Sequence, residues 1–316
     1  HEALAARMEE KRKLLQGALA SLYPGNLVLC LESEVVNHRV LKMIARENPA
    51  ASRMPAFGQA GENMCVPFGK ILRGMLAANC VTKALDTEKI YEPDLSGFTI
   101  REYPNFADLH TQVKILRSFK RPVILVDDLY HEGYRMEGIE PILEKEEVEI
   151  KKIIVGAMSG NGRDIAYRKK KPVEGAYFIP NIKAWVTESG FYPFIGGESV
   201  RKEEGEGTGA VLLPSVNDIL PYQIPHFLRD VRLGDFYRFS ELCLSNARAI
   251  LEGVEQIYQE MSGRRLTVRR LGEVMAEPRY PDIRQVEISG RTAAECLGDE
   301  QQRLKRFECL CGMDRV

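Results

Sequence analysis

Pro122-Val123-Ile124-Leu125-Val126-Asp127-Asp128-Leu129-Tyr130-His131-Glu132-Gly133-Tyr134-Arg135-Met136 decides the fold. Four consecutive apolar residues, Val123–Val126, read as a strand buried on both faces of a sheet, as parallel sheets require. Two carboxylates end the run, a glycine turn follows, and apolar Ile139, Ile142 and Leu143 return at helical spacing. The segment is a strand, a turn and a helix.

Working outward, Ile153–Met158 is a second buried strand, Arg163–Arg168 a short helix and Gly175–Pro180 a third strand. Strands alternating with helices predict a doubly wound, mainly parallel α/β sheet. Upstream, Asp108–Phe119 reads as a helix and Phe98–Tyr103 as an alternating strand. Leu27–Leu31 is wholly apolar and predicts another buried strand, followed by a helix over Glu34–Arg46. Between Pro55 and Asp94 the pattern is weak and predicts loops and short strands.

Toward the termini the character changes. Ala3–Leu22 is a periodic helix closed by Tyr23-Pro24-Gly25-Asn26. Arg201–Gly209 is a charged, glycine-rich linker, and Gly234–Met261 a long helix whose broad apolar stripe must pack on something. The expected organisation is an N-terminal helix (1–25), an α/β domain (26–200), and a linker with a mainly helical C-terminal region (201–316).

Composition narrows the function classes. The 316 residues carry a net charge of -1, without the basic excess of a dedicated nucleic-acid binder. No apolar run reaches membrane-spanning length, so no membrane partner is expected. Seven cysteines, odd in number and widely spaced, imply no disulfide framework and fit a reducing cytoplasm. Cys309 and Cys311 are close, but no second pair or nearby histidine completes a metal site. The chain opens on His1 rather than Met, so it is expected to be a piece of a longer protein.

In open α/β sheets ligands bind beyond the carboxyl ends of the strands. Asp127 and Asp128 stand there, ahead of a glycine turn that opens a helix, and helix N-terminal amides attract anions. Paired carboxylates beside such amides can hold ribose hydroxyls, directly or through hydrated Mg²⁺. The combination predicts a ribose-phosphate site.

The same row resembles the phosphoribosyl pyrophosphate motif of type I phosphoribosyltransferases: a buried strand, two acids, three variable residues, then Thr-Gly-x-Thr. Here the strand, both acids and Gly133 fall in register, while Glu132 and Arg135 stand where the motif has threonines. The resemblance implies that Asp127 and Asp128 hold the ribose hydroxyls and Mg²⁺. It implies that His131, Glu132, Gly133, Tyr134 and Arg135 form the phosphate and substrate loop. It places Glu32-Ser33-Glu34 at the pyrophosphate loop, and Lys83 or Lys89 as a catalytic cation over the pyrophosphate, with Lys83 the first choice. Phe191, Tyr192 and Phe194 either stack on a base or simply pack a loop, and Ser159–Arg163 is either a second anion loop or a turn. The chain also resembles uncharacterised bacterial multidomain proteins labelled cytidyltransferase-related, although the His-x-Gly-His motif of true cytidylyltransferases is absent from it.

The altered residues set up a conflict. At about 5 Å and an effective dielectric near 20, Glu132 would repel each phosphate charge by roughly 3 kcal/mol. Arg135 is then expected either to anchor the phosphate with Glu132 turned away, or to pair with Glu132 and close the loop. Two functions follow from the resemblance: binding of a ribose phosphate or nucleotide with transfer of phosphoribosyl to an acceptor, or a catalytically degenerate nucleotide-sensing or assembly module. The expected macromolecular partners are a second copy or other domains of a longer chain.

Overall fold

The computed structural model describes residues 2–49, 61–69, 71, 72, 74–91, 98–103, 106–196, 198–201, 212–216, 231–271 and 290–310. The chain divides into two compact units: Leu31–Lys183, and a second formed by residues 1–30 together with 184–316. Helix α1 (Glu2–Leu22) therefore belongs with the C-terminal segment rather than standing apart, and the α/β unit is shorter at both ends than 26–200.

The first unit contains α2 (Ser33–Glu47), β1 (Met64–Pro67), β2 (Val81–Thr82), β3 (Thr87–Tyr91), β4 (Phe98–Glu102), α3 (Leu109–Ser118), β5 (Val123–Tyr130), α4 (Tyr134–Lys145), β6 (Ile150–Ser159), α5 (Gly160–Arg168) and β7 (Val173–Ile179). Five strands form a wholly parallel sheet in the order β2-β1-β5-β6-β7, with β5 in the middle. β3 and β4 pair as an antiparallel hairpin.

Alternation along β5 explains why the sheet needs a layer on each side. Val123 and Leu125 join Leu109, Val113, Leu116 and Ile139 on the face covered by α3 and α4. Ile124 and Val126 join Val40, Met43 and Ile44 on the face covered by α2. All four strand residues are fully buried, and each such side chain stabilises the fold by roughly 1.5–3 kcal/mol.

One expected strand is absent. Leu27–Leu31 has no strand pairing, and Leu27 and Leu29 are exposed. The place beside β5 is taken by β1, registered from Met64 opposite Val123 to Pro67 opposite Val126. An apolar run becomes a buried strand only if a place in the sheet is left for it, and the place beside β5 already belongs to β1.

The second unit is mainly helical: α1, α6 (Leu233–Ser262), α7 (Val268–Leu271) and α8 (Ala293–Leu310), with a β8 (Glu198–Arg201)–β9 (Leu212–Val216) hairpin. The stripe of α6 packs on α1 and α8 around Leu15, Phe236, Phe239, Leu251, Leu297 and Leu304. Gly263, at φ +67, supplies the left-handed C-cap that ends α6. The linker at 202–209 lies outside the described residues. Among the described residues no helix is long and apolar enough to cross a membrane.

Candidate functional site

β5 carries Asp127 and Asp128 in its carboxyl half and runs on through Leu129 to Tyr130. A three-residue turn, His131–Gly133, then leads into α4. Gly133 is the N-cap of α4 and adopts φ +77, a conformation that costs other residues about 1–2 kcal/mol. It brings no side chain to cap the helix, so the first amides of α4 meet no capping oxygen from the N-cap. The turn thus sets an anion-attracting helix end just beyond the strand that carries the acid pair.

Arg135 is the second residue of α4. Helical Cα–Cβ bonds tilt toward the N-terminus, so a long side chain in the first turn reaches back over the preceding strand end. Its Nη1 donates to Oδ1 of Asp127 in a very close contact and lies 3.2 Å from Oδ1 of Asp128. At about 3 Å and an effective dielectric near 20, each such attraction is roughly 5 kcal/mol before the cost of desolvation. Only 4% of Asp127 is exposed, which makes that cost decisive for its charge.

Burial pushes the Asp127 carboxyl well above its ordinary value of 3.8, and the neighbouring Asp128 pushes the same way against Arg135. Burial also raises Asp128, but there the Arg135 charge, the Asp127 side chain and the Leu129 amide prevail and hold it below 3.8. Arg135 does not pair with Glu132; its Nη1 is taken up by the acid pair.

Glu132 instead lies 3.3 Å from Nε2 of His131, and Nδ1 of His131 is 2.7 Å from the buried hydroxyl of Ser159. Ser159 ends β6, and its Oγ accepts from the Gly162 amide at 2.9 Å as the N-cap of α5. His131 therefore ties the turn after β5 to the turn after β6. The Ser159–Arg163 segment is the start of a helix with its own cap. Tyr134 is more than half exposed and packs edge-on against Phe98 of β4, 6.1 Å between ring centroids.

The remaining sequence candidates lie elsewhere. Lys83 follows β2, two strands from β5, which at sheet spacing is roughly 10 Å. Its amide donates to the Cys65 carbonyl at 3.0 Å, and among the described residues no ion pair joins it to the acids. Lys89 lies over the ring of Phe98, 4.7 Å from its centroid. Glu32-Ser33-Glu34 forms the N-cap and first turn of α2 rather than a loop after a strand. Phe191, Tyr192 and Phe194 are buried in the core of the helical unit, where Phe191 meets Phe239 edge-on at 5.3 Å. They pack a loop and are not a base-stacking hood.

Gly69 is the site residue that sequence reasoning missed. It follows β1 and faces the acid pair: a Cβ there would collide with Asp127 Oδ1 and lie 2.6 Å from Arg135 Nη1. The only available signal was the Pro67-Phe68-Gly69 step after a four-residue apolar strand, inside a stretch without periodicity.

Mg²⁺ does not fit the acid pair as it stands. Nη1 of Arg135 already contacts one carboxylate oxygen of each acid, Oδ1 of Asp127 and Oδ1 of Asp128, and sets a positive charge where a cation would sit. Mg²⁺ also keeps several of its waters, and the gap on the Gly69 side is too narrow for a methyl group.

No family model matches this chain, and no curated protein matches it. Solved structures with which it shares a partial likeness include a purine phosphoribosyltransferase from Pyrococcus horikoshii, at 12% identity and TM-score 0.29, over 51% of this chain and 89% of that one. An adenine phosphoribosyltransferase from Thermoanaerobacter pseudethanolicus aligns at 13% identity and TM-score 0.28, over 47% and 83%. A hypoxanthine phosphoribosyltransferase from Trypanosoma cruzi, complexed with its product IMP, aligns at 13% and 0.29, over 50% and 80%.

Proposed function

We propose that the Leu31–Lys183 unit binds the ribose phosphate part of a nucleotide or of phosphoribosyl pyrophosphate. The observation that carries this reading is the placement of Asp127 and Asp128 in the carboxyl half of the central parallel strand, whose end leads through a short turn into the Gly133-capped start of α4. Helix-end amides suit a phosphate, and carboxylates suit ribose hydroxyls. The motif resemblance supports the same reading through the strand, both acids and Gly133.

Within it, Asp127 and Asp128 accept from the ribose hydroxyls, the amides from Tyr134 onward donate to the 5′-phosphate, and Arg135 holds the acids in place. His131, fixed by Ser159, keeps the turn that carries Gly133 in position. Transfer of phosphoribosyl to an acceptor would demand that the site also stabilise charge at C1 as the leaving group departs, mainly by positioning and electrostatics.

A calorimetric titration with phosphoribosyl pyrophosphate, paired with a pyrophosphate-release assay across a panel of bases, tests the proposal. Binding that Asp128→Asn weakens supports it, and release of pyrophosphate would add transfer to binding. No heat of binding for phosphoribosyl pyrophosphate or for ribose 5-phosphate would reject it.

A further inference from the structure

We propose that Arg135 stands in for a divalent cation at the acid pair, so that this chain takes its ribose phosphate without metal. The inference rests on the ribose-phosphate reading above and specifies its chemistry. One nitrogen, Nη1, contacts a carboxylate oxygen of Asp127 and of Asp128. A metal ion bridging the acids through these oxygens would have to displace the guanidinium. The guanidinium also cancels one of the two negative charges that would attract a dication, and unlike a metal it is covalently tethered at full occupancy.

The surroundings are built for the guanidinium. Gly69 is flush against it, with no space for even a methyl group between the loop and the Asp127–Arg135 pair. The Arg135 side chain is only 20% exposed, so it is a half-buried component of the site. A guanidinium has five N–H donors, and Nη1 accounts for two. Among the described residues the donors on Nε and Nη2 take no acceptor. They are left to offer to hydroxyl or phosphate oxygens of a ligand, a role that an acid-bound metal would fill with its open coordination positions.

The test uses Mn²⁺, a paramagnetic stand-in for Mg²⁺, titrated against the whole chain by electron paramagnetic resonance. The wild type should show no Mn²⁺ site sensitive to Asp128→Asn. Arg135→Ala should gain one at least about tenfold tighter than any wild-type binding, and adding Asp128→Asn should remove it. In parallel, ribose 5-phosphate should bind the wild type equally in EDTA and in Mg²⁺. A wild-type Mn²⁺ site lost in Asp128→Asn, a failure of folded Arg135→Ala to gain a site, or tightening of ribose 5-phosphate by Mg²⁺ would each overturn the proposal. If Arg135→Ala does not fold, the two wild-type titrations decide alone. Absence of ribose 5-phosphate binding in both EDTA and Mg²⁺ would instead overturn the ribose-phosphate reading, with the Mn²⁺ result still deciding the metal.

Discussion

Gly69 and Arg135 meet where two loops of the parallel sheet converge: a Cβ on Gly69 would stand 2.6 Å from Nη1 of Arg135. The loop after β1 and the first turn of α4 are thus fitted to each other, with Asp127 between them. Because a closely packed interior cannot absorb an extra methyl group without shifting, Gly69→Ala should destabilise the chain by about 1–3 kcal/mol. It should also weaken ribose 5-phosphate binding, since the displaced group is the arginine that orders the acids. Gly17, inside α1 with nothing within 4 Å of a Cβ, provides the contrast. Gly17→Ala should stabilise by about 0.5–1 kcal/mol through helix propensity alone. Thermal denaturation of the two variants checks both signs, and equal effects would contradict the close fit at Gly69.

The acid pair predicts a pH dependence with a definite sign. The Asp127 carboxyl is raised above 3.8, chiefly by burial and then by Asp128. A raised carboxyl favours the folded state below its unfolded value, and that advantage is lost as pH rises through its folded value. Asp128 is held below 3.8, so its contribution is lost only as pH falls beneath that value. Between mildly acidic and neutral pH the wild type should therefore lose stability relative to Asp127→Asn. Urea midpoints of the two proteins across that range test it, and parallel curves would mean that Asp127 is ionised throughout in both states.

The segment from Val123 to Arg135 was legible because three independent signals coincide there: a β-branched apolar run, acids at its end and a glycine before a helical period. The long stripe of α6 was legible for the same reason, since thirty helical residues leave little room for another period. β1 was not, because Met64–Pro67 is four residues long and sits among glycines and prolines, while Leu27–Leu31 imitated it with a longer apolar run. The direction of Arg135 was also hidden. Sequence spacing places it in the loop, but its rotamer depends on the opening that Gly69 leaves from a distant part of the chain. The burial of Phe191 and Tyr192 likewise depends on α6 lying against them, which no local pattern encodes.

Cysteine reactivity reads out both units at once. Burial raises the Cys65 thiol to about 12 and the Cys296 thiol to about 11, and raises Cys243 further. Cys30 and Cys309 are exposed. Since the thiolate is the reactive form, iodoacetamide should label Cys30 and Cys309 in the native protein and reach Cys65, Cys243 and Cys296 only after denaturation. Peptide mass spectrometry of a timed reaction checks the order. Native labelling of Cys65 would contradict the position of β1 inside the sheet.

The most direct test of the ribose-phosphate site is hydrogen exchange followed by mass spectrometry, with and without saturating ribose 5-phosphate. The ligand should slow exchange in peptides that span Asp127 to Met136, where the amides at the start of α4 gain an acceptor, and leave α6 and α8 unchanged. Unaltered exchange across Asp127–Met136, or protection confined to the helical unit, would contradict the account.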